Sequence, residues 1–163
     1  MRPTIERTML DIAHVIAKRS TCRRRAVGCV LVDEMNRILS VGHNGVPPGV
    51  QHCTDEPCPG ADAPSGHGLD LCEASHAEAN ALLFCGDTSK IHKVFCTVSP
   101  CLACVKLLLM TPAQCIVFEE EYPHELARER WVKGPLRGVD VAFHASGWQQ
   151  FVPKVRYWTR YVG

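Results

Sequence analysis

His76-Ala77-Glu78 and, further along, Pro100-Cys101-Leu102-Ala103-Cys104 gather one imidazole, one carboxylate and two thiols into two short runs. Imidazole and thiolate are preferred zinc ligands, and three protein ligands leave a tetrahedral ion one open position, the mark of a catalytic rather than a closed structural site. Zinc in such a site lowers the pKa of bound water from 15.7 toward ~7. Glu78 then has work as a proton carrier that need not itself be a ligand. The spacing therefore points to metal-assisted hydrolysis. Two plainer readings compete: Ser75-x-x-Glu78 fits a capping box, and Cys101-x-x-Cys104 fits a redox dithiol. Neither explains the imidazole and the thiol pair together.

Both runs stand at expected helix starts. Ser75 predicts an N-cap ahead of a helix from His76 to about Cys85, and Ser99-Pro100 predicts a cap and first position ahead of a helix from Cys101 to Met110. The partial positive charge of a helix N-terminus favours ionised sulfur at Cys101 and Cys104. Upstream, Ile5, Met9, Ile12, Ala13 and Ile16 recur at helical spacing and predict an amphipathic helix over about 4–19. Ala26 to Asp33 and Arg37 to Gly42 are β-rich runs around a polar turn, a hairpin signature. Strands at Val94–Val98, Cys115–Phe118 and Val139–Phe143 alternate with helices, the last of these helices near His124 to Val132. That alternation predicts an α/β fold whose sheet is largely parallel in its second half. The aromatic tail, with Trp148, Phe151, Tyr157, Trp158 and Tyr161, predicts docking on the body or on another subunit.

A chain of 163 residues fits one domain, spanning 1–163, and can bury a core without covalent staples. The net charge of +1 and pI near 7.6 provide no broad field for a polyanion, although Arg23-Arg24-Arg25 is a local cationic cluster. No apolar run approaches the ~20 residues of a membrane span, and no signal-peptide core opens the chain. A soluble, cytoplasmic protein is expected. Ten cysteines in an ordinary apolar composition favour reduced thiols and metal over a disulfide framework. Cys29, Cys96 and Cys115 lie in β-like apolar runs and read, with Cys85, as plain core or surface residues.

His-x-Glu followed by Pro-Cys-x-x-Cys is the pattern of the zinc nucleobase deaminases, and His76 to Ala81 with Ser99 to Cys104 resembles the cytidine deaminase superfamily. Gly42-His43-Asn44-Gly45, with Ser20-Thr21-Cys22 and Val27-Gly28, looks like its deoxycytidylate deaminase branch, across about Ile5 to Phe143. The resemblance implies a three-layer α/β/α sandwich with a five-stranded mixed sheet, and hydrolysis of dCMP to dUMP and ammonia. It also implies a homohexamer and regulation by dCTP and dTTP with Mg2+. In this transfer His76, Cys101 and Cys104 hold the catalytic zinc, and Glu78 moves protons. Asn44, Ala77 and Ser99 contact the substrate, and Gly42, His43, Asn44 and Gly45 form the effector motif. Tyr122, at the carboxyl end of an expected strand where open α/β sheets place ligands, and Arg25, from the cationic cluster, are further candidate substrate contacts. His43 stands where the branch carries tyrosine.

The Gly- and Pro-rich stretch from about 45 to 75 is long for a structureless loop, and a closed zinc site is one way to order it. By resemblance its ligands are Cys22, Cys53 and Cys72, with Cys58 or His67 as the fourth. Arg23, Arg24 and Arg25 offer bidentate donors to a substrate phosphate. The sequence leaves open which of the three turns inward. Deamination of 5-methyl- or 5-hydroxymethyl-dCMP, of a free nucleoside or of tRNA adenosine would use the same zinc ligands. A zinc-stabilised binding module without catalysis is the reading from a different class. It gives Glu78 nothing to do.

Overall fold

The computed structural model describes residues 1–64, 66–122, 124–134 and 156–163. Its elements in chain order are α1 (Ile5–Ala17), β1 (Gly28–Val32), β2 (Ile38–His43), α2 (Ala77–Leu83), β3 (Lys93–Val98), α3 (Leu102–Leu108), β4 (Cys115–Glu120), α4 (Glu125–Lys133) and β5 (Tyr157–Arg160). The five strands form one sheet in the order β2-β1-β3-β4-β5. β1 runs antiparallel to both β2 and β3, while β4 runs parallel to β3 and to β5. The sheet is thus mixed, antiparallel in its first half and parallel in its second, as the pattern of hairpin followed by strand-helix alternation predicts.

Period-two alternation sorts the strand side chains into two cores. Val30, Val32, Phe95 and Val117 pack with Met9, Leu10 and Ala13 of α1. Cys29, Leu31, Val94, Cys96, Ile116 and Phe118 pack with α2, α3 and α4 through Ala77, Ala81, Val105, Leu108 and Trp131. One helix therefore covers one face and three cover the other, a three-layer sandwich. Each fully buried Val, Leu or Phe contributes about 1.5–3 kcal/mol relative to exposure.

Two glycines set how closely the layers approach. A Cβ on Gly28 would stand 1.8 Å from the Ala13 carbonyl of α1, and one on Gly42 would stand 2.2 Å from the Ala77 carbonyl of α2. Both strands are pressed against helix backbone where no side chain fits. The β1–β2 turn is held by Asp33, whose Oδ1 accepts from the amides of Met35 and Arg37 at 2.9 and 2.8 Å, with Asn36 at φ 58°. Asn is among the few residues that tolerate that region.

Two expectations need correction. The α2 N-cap is His76, not Ser75, and the α3 N-cap is Cys101, not Ser99. Ser75 is tied instead into a two-way backbone bridge with Gly45, at 3.0 and 2.8 Å. Ser99 follows β3 directly, its amide donating to the Glu120 carbonyl at 2.8 Å, and its Oγ accepts from the Tyr122 amide at 2.7 Å. In each case tertiary pairing takes the serine that local preference assigns to the helix. The strand expected at Val139–Phe143 lies outside the described residues, as do Trp148 and Phe151. The fifth described strand comes from the aromatic tail: Trp158 sits edge-on to Phe118, ring centroids 5.3 Å apart. Next to it the buried Arg156 donates to the Ala113 and Thr111 carbonyls and lies over the Trp131 ring, 4.8 Å from its centroid.

Candidate active site

The ends of two helices meet at one spot. His76 caps α2 and Cys101 caps α3, and neither side chain is spent on its own helix as an ordinary cap would be. Both project forward from the helix ends. Cys104 follows one turn into α3. His76 Nδ1 lies 3.4 Å from the sulfur of Cys101 and 3.4 Å from that of Cys104. The ligand atoms of all three fall within 4.8 Å of one another.

That spacing can be tested against zinc. Bonds of ~2.3 Å to sulfur and ~2.0 Å to nitrogen at a tetrahedral angle separate the two ligand atoms by roughly 3.5 Å. The observed separations match, so the three residues fit the ion. The thiols are electrostatically unequal. A hydrogen bond from Cys104, with His76 adding to it against the cost of burial, brings Cys101 down to about 4. Cys101 in turn, with burial, pushes Cys104 up. His76 is raised by its hydrogen bond to Cys101, with burial opposing.

Glu78, in the first turn of α2, is 4% exposed. Burial raises its carboxyl above the ordinary range, while its own backbone amide and His76 pull the other way. A carboxyl in this setting holds a proton more readily than one in water. The capping-box reading fails locally, because Ser75 is engaged with Gly45 and is not the cap.

These groups open on a cavity of about 350 Å³ whose lining includes His76, Ala77, Glu78, Cys101, Asn44, Ser99, Arg24, Arg25 and Tyr122. It lies beyond the carboxyl ends of β3 and β4, where open α/β sheets place ligands. All five residues expected at the substrate are in it. Asn44 is partly committed: its Oδ1 accepts from the Val27 amide at 2.8 Å and its Nδ2 donates to the Arg25 carbonyl at 2.7 Å. An amide still keeps a second N–H and a second lone pair for a ligand.

Of the three arginines, Arg23 is exposed, whereas Arg24 and Arg25 line the cavity. Each of those two has a buried Nη1 with no hydrogen-bond partner among the described residues. Arg25 also pairs with Glu120 at 3.2 Å, with its guanidinium carbon 5.8 Å from the centroid of the Tyr122 ring.

The Gly42 to Gly45 motif lies beneath and beside α2. Gly42 admits the helix backbone, the His43 carbonyl accepts from Asn80 Nδ2 at 2.8 Å, and Gly45 pairs with Ser75. Asn80 was not singled out in the sequence. A second polar residue, besides Glu78, in a helix otherwise built of Ala and Leu was the available signal.

In the loop, Cys53 and Cys58 are buried and Cys72 packs against them. The Cys58 thiol is held below its usual range, first by the Glu73 backbone and also by Cys53 and Cys72. Cys72 is pushed up by burial and also by its neighbours Cys22 and Cys58. His67 is exposed. Among the described residues, only His76, Cys101 and Cys104 bring three ligand atoms within 4.8 Å.

Residues 3–120 match the family described as the cytidine and deoxycytidylate deaminase zinc-binding region. The chain belongs to this deaminase family. Among its relatives, a deoxycytidylate deaminase of Mycobacterium phage D29 is 36% identical over 127 residues, covering 74% of this chain and 98% of that protein. The deoxycytidylate deaminase of Schizosaccharomyces pombe is 36% identical over 125 residues. That match covers 74% of this chain but only 38% of the yeast protein, so this deaminase-family chain spans about two fifths of its length. A solved dCMP deaminase from cyanophage S-TIM5, in complex with dCMP and dUMP, superposes with a TM-score of 0.61 at 26% identity. It covers 79% of this chain and 90% of its own.

Proposed function

We propose that this chain is a zinc-dependent hydrolase that converts dCMP to dUMP and ammonia. The observation that carries the reading is the buried Glu78 beside the three-ligand cluster at the wall of a cavity that Arg24 and Arg25 also line. The likeness to a dCMP deaminase crystallised with dCMP and dUMP supports it.

His76, Cys101 and Cys104 would hold the ion. Zinc bound there, with one position open, supplies a hydrolytic nucleophile at neutral pH. Glu78 takes the proton that water loses as its oxygen adds to the cytosine C4, and passes it to the ring N3. Glu78 then takes the remaining proton from the new C4 hydroxyl and delivers it to the exocyclic amine, so that ammonia leaves as the C4–N bond breaks and the carbonyl forms. Burial, which raises the Glu78 carboxyl, favours its protonated form during the transfer. Asn44 and the Ala77 backbone orient the nucleotide, Ser99 holds Tyr122 in place, and Tyr122 stands where it can cover the base. Arg24 and Arg25 read the 5′-phosphate.

The remaining elements of the reading are a second, structural zinc on Cys22, Cys53, Cys58 and Cys72, a single domain over 1–163, a cytoplasmic location and a homohexamer. Burial of Cys58 against Cys53 and exposure of His67 favour Cys58 as the fourth ligand. Exposed Leu83, Phe84 and Met110 supply apolar surface for assembly. Regulation by dCTP and dTTP with Mg2+ through Gly42 to Gly45 belongs to the same reading.

The test is to mix zinc-loaded protein with dCMP, 5-methyl-dCMP, 5-hydroxymethyl-dCMP and deoxycytidine, with and without dCTP, and follow loss of the cytosine absorbance. Turnover of dCMP supports the assignment. Silence on dCMP with turnover of a modified nucleotide moves the substrate and keeps the chemistry, and silence on all four sinks the reading.

A further inference from the structure

Arg24 ties the segment before β1 to the loop through one nitrogen of its guanidinium. Its Nη2 donates to the Pro64 carbonyl at 2.9 Å and to the His67 carbonyl at 3.1 Å. Its Nη1 is buried and has no partner among the described residues, and the residue lines the same cavity as Glu78 and Asn44. A guanidinium is a rigid fork of five donors, so commitment of one edge fixes the direction of the other. Leaving a charged donor buried without an acceptor is costly, and an anion beside the guanidinium compensates the charge.

Arg25 has the same charge and a different setting. Its Nη2 goes to the Glu120 carboxylate and its guanidinium lies near Tyr122, both at the end of β4. Arg24 instead is attached to the loop wall of the cavity, to which Ala61, Asp62, Ala63, Gly66 and Leu69 contribute. That wall has little apolar anchoring of its own, since Leu69 and Leu71 are 45% and 53% exposed. It runs between Cys58 and Cys72, and a backbone hydrogen bond from Gly60 to the Leu71 carbonyl, at 3.1 Å, draws its ends together.

We propose that Arg24 makes recognition of the nucleotide phosphate and ordering of the loop wall, residues 60–64 and 66–72, a single coupled event. An anion taken from the cavity side immobilises the guanidinium, and its Nη2, so fixed, holds the two loop carbonyls. By linkage, a well-ordered wall must then strengthen phosphate binding by the same factor. The inference rests on the reading of the substrate as a nucleoside monophosphate. It goes beyond that reading by making Arg24, and not Arg25, the residue through which the loop senses the ligand.

Amide hydrogen exchange on the zinc-loaded protein tests this, with dUMP as the probe because the product is not turned over. Saturating dUMP is expected to slow exchange in residues 60–64 and 66–72 by about 5-fold or more, the lower end of ordinary coupling. Arg24→Lys keeps the charge but cannot serve both sides, and is expected to lose most of the slowing with dUMP still saturating. Arg25→Lys is expected to raise the KM for dCMP and keep the slowing. Bound dUMP that leaves the wild-type wall unprotected overturns the proposal, as does equal loss in the two lysine variants. Turnover of dCMP with an indifferent wall defeats this inference alone. Protection by dUMP without turnover of dCMP defeats the assigned reaction and leaves the coupling standing.

Discussion

Asn44 holds Arg25 by its backbone: the Asn44 Nδ2 donates to the Arg25 carbonyl at 2.7 Å while its Oδ1 accepts from the Val27 amide at 2.8 Å. One side chain thereby sets the path of the chain into β1 and the position of an arginine in the cavity. Asn44→Ala strands a donor and an acceptor in a poorly hydrated place, at about 1–3 kcal/mol each. Urea unfolding should show a loss in that range together with a raised KM for dCMP. Unchanged stability would mean that the segment from Arg25 to Val27 is held by something else.

Gly42 and Gly28 allow a matched comparison. Alanine at either meets helix carbonyl backbone at 2.2 or 1.8 Å, so both variants should lose at least the 1–3 kcal/mol typical of overpacking. Only Gly42 presses on α2, the helix that begins at His76. Gly42→Ala should weaken zinc binding in a competition titration as well as lowering the melting temperature. Gly28→Ala, which presses on α1, should lower the melting temperature with zinc affinity kept.

Glu78→Gln preserves the shape of the side chain and removes its ability to carry a proton. Ammonia release should fall by about 10²–10⁴-fold. Zinc content by elemental analysis should stay at the wild-type value, because the carboxylate is not among the clustered ligands. Retained activity would defeat the catalytic assignment.

On the far face, Arg7 and His14 of α1 both pair with the Glu119 carboxylate of β4. Burial works against ionisation there, but hydrogen bonds from His14 and Arg7 outweigh it and hold the carboxyl below the usual range. A depressed carboxyl contributes stability that is present above its unfolded pKa of ~4.3 and lost as pH falls through the lower folded value. Glu119→Gln should therefore lower the melting temperature at pH 7, and the gap to wild type should close as the pH is taken below 4. A gap that stays constant with pH would assign the effect to packing.

Much of the site was legible because its chemistry is written at short range. His76 to Glu78 and Cys101 to Cys104 need only the first turn of a helix to face one way, and that geometry follows from spacing. The hairpin and the strand-helix alternation are similarly local. Less legible was anything settled between distant segments. Ser75 and Ser99 are good caps in isolation, yet Gly45 and the Tyr122 amide claim them. Which arginine turns inward depends on contacts with Pro64, His67 and Glu120. β5 has only four residues at a sheet edge, too few for a period to show. Its aromatic content predicts docking on the body or on another subunit, and pairing with β4 is the form the docking takes.

The bridge between Gly45 and Ser75 has an evolutionary corollary. The long excursion after β2 leaves and re-enters the body at one stitch, so its interior can be shortened, lengthened or exchanged with little strain on the strand before it or the helix after it. Since that excursion supplies one wall of the cavity while the ligand cluster stays with α2 and α3, substrate preference and reaction chemistry can drift independently. A transplanted excursion from a relative, joined at these two residues, would be expected to carry its selectivity with it.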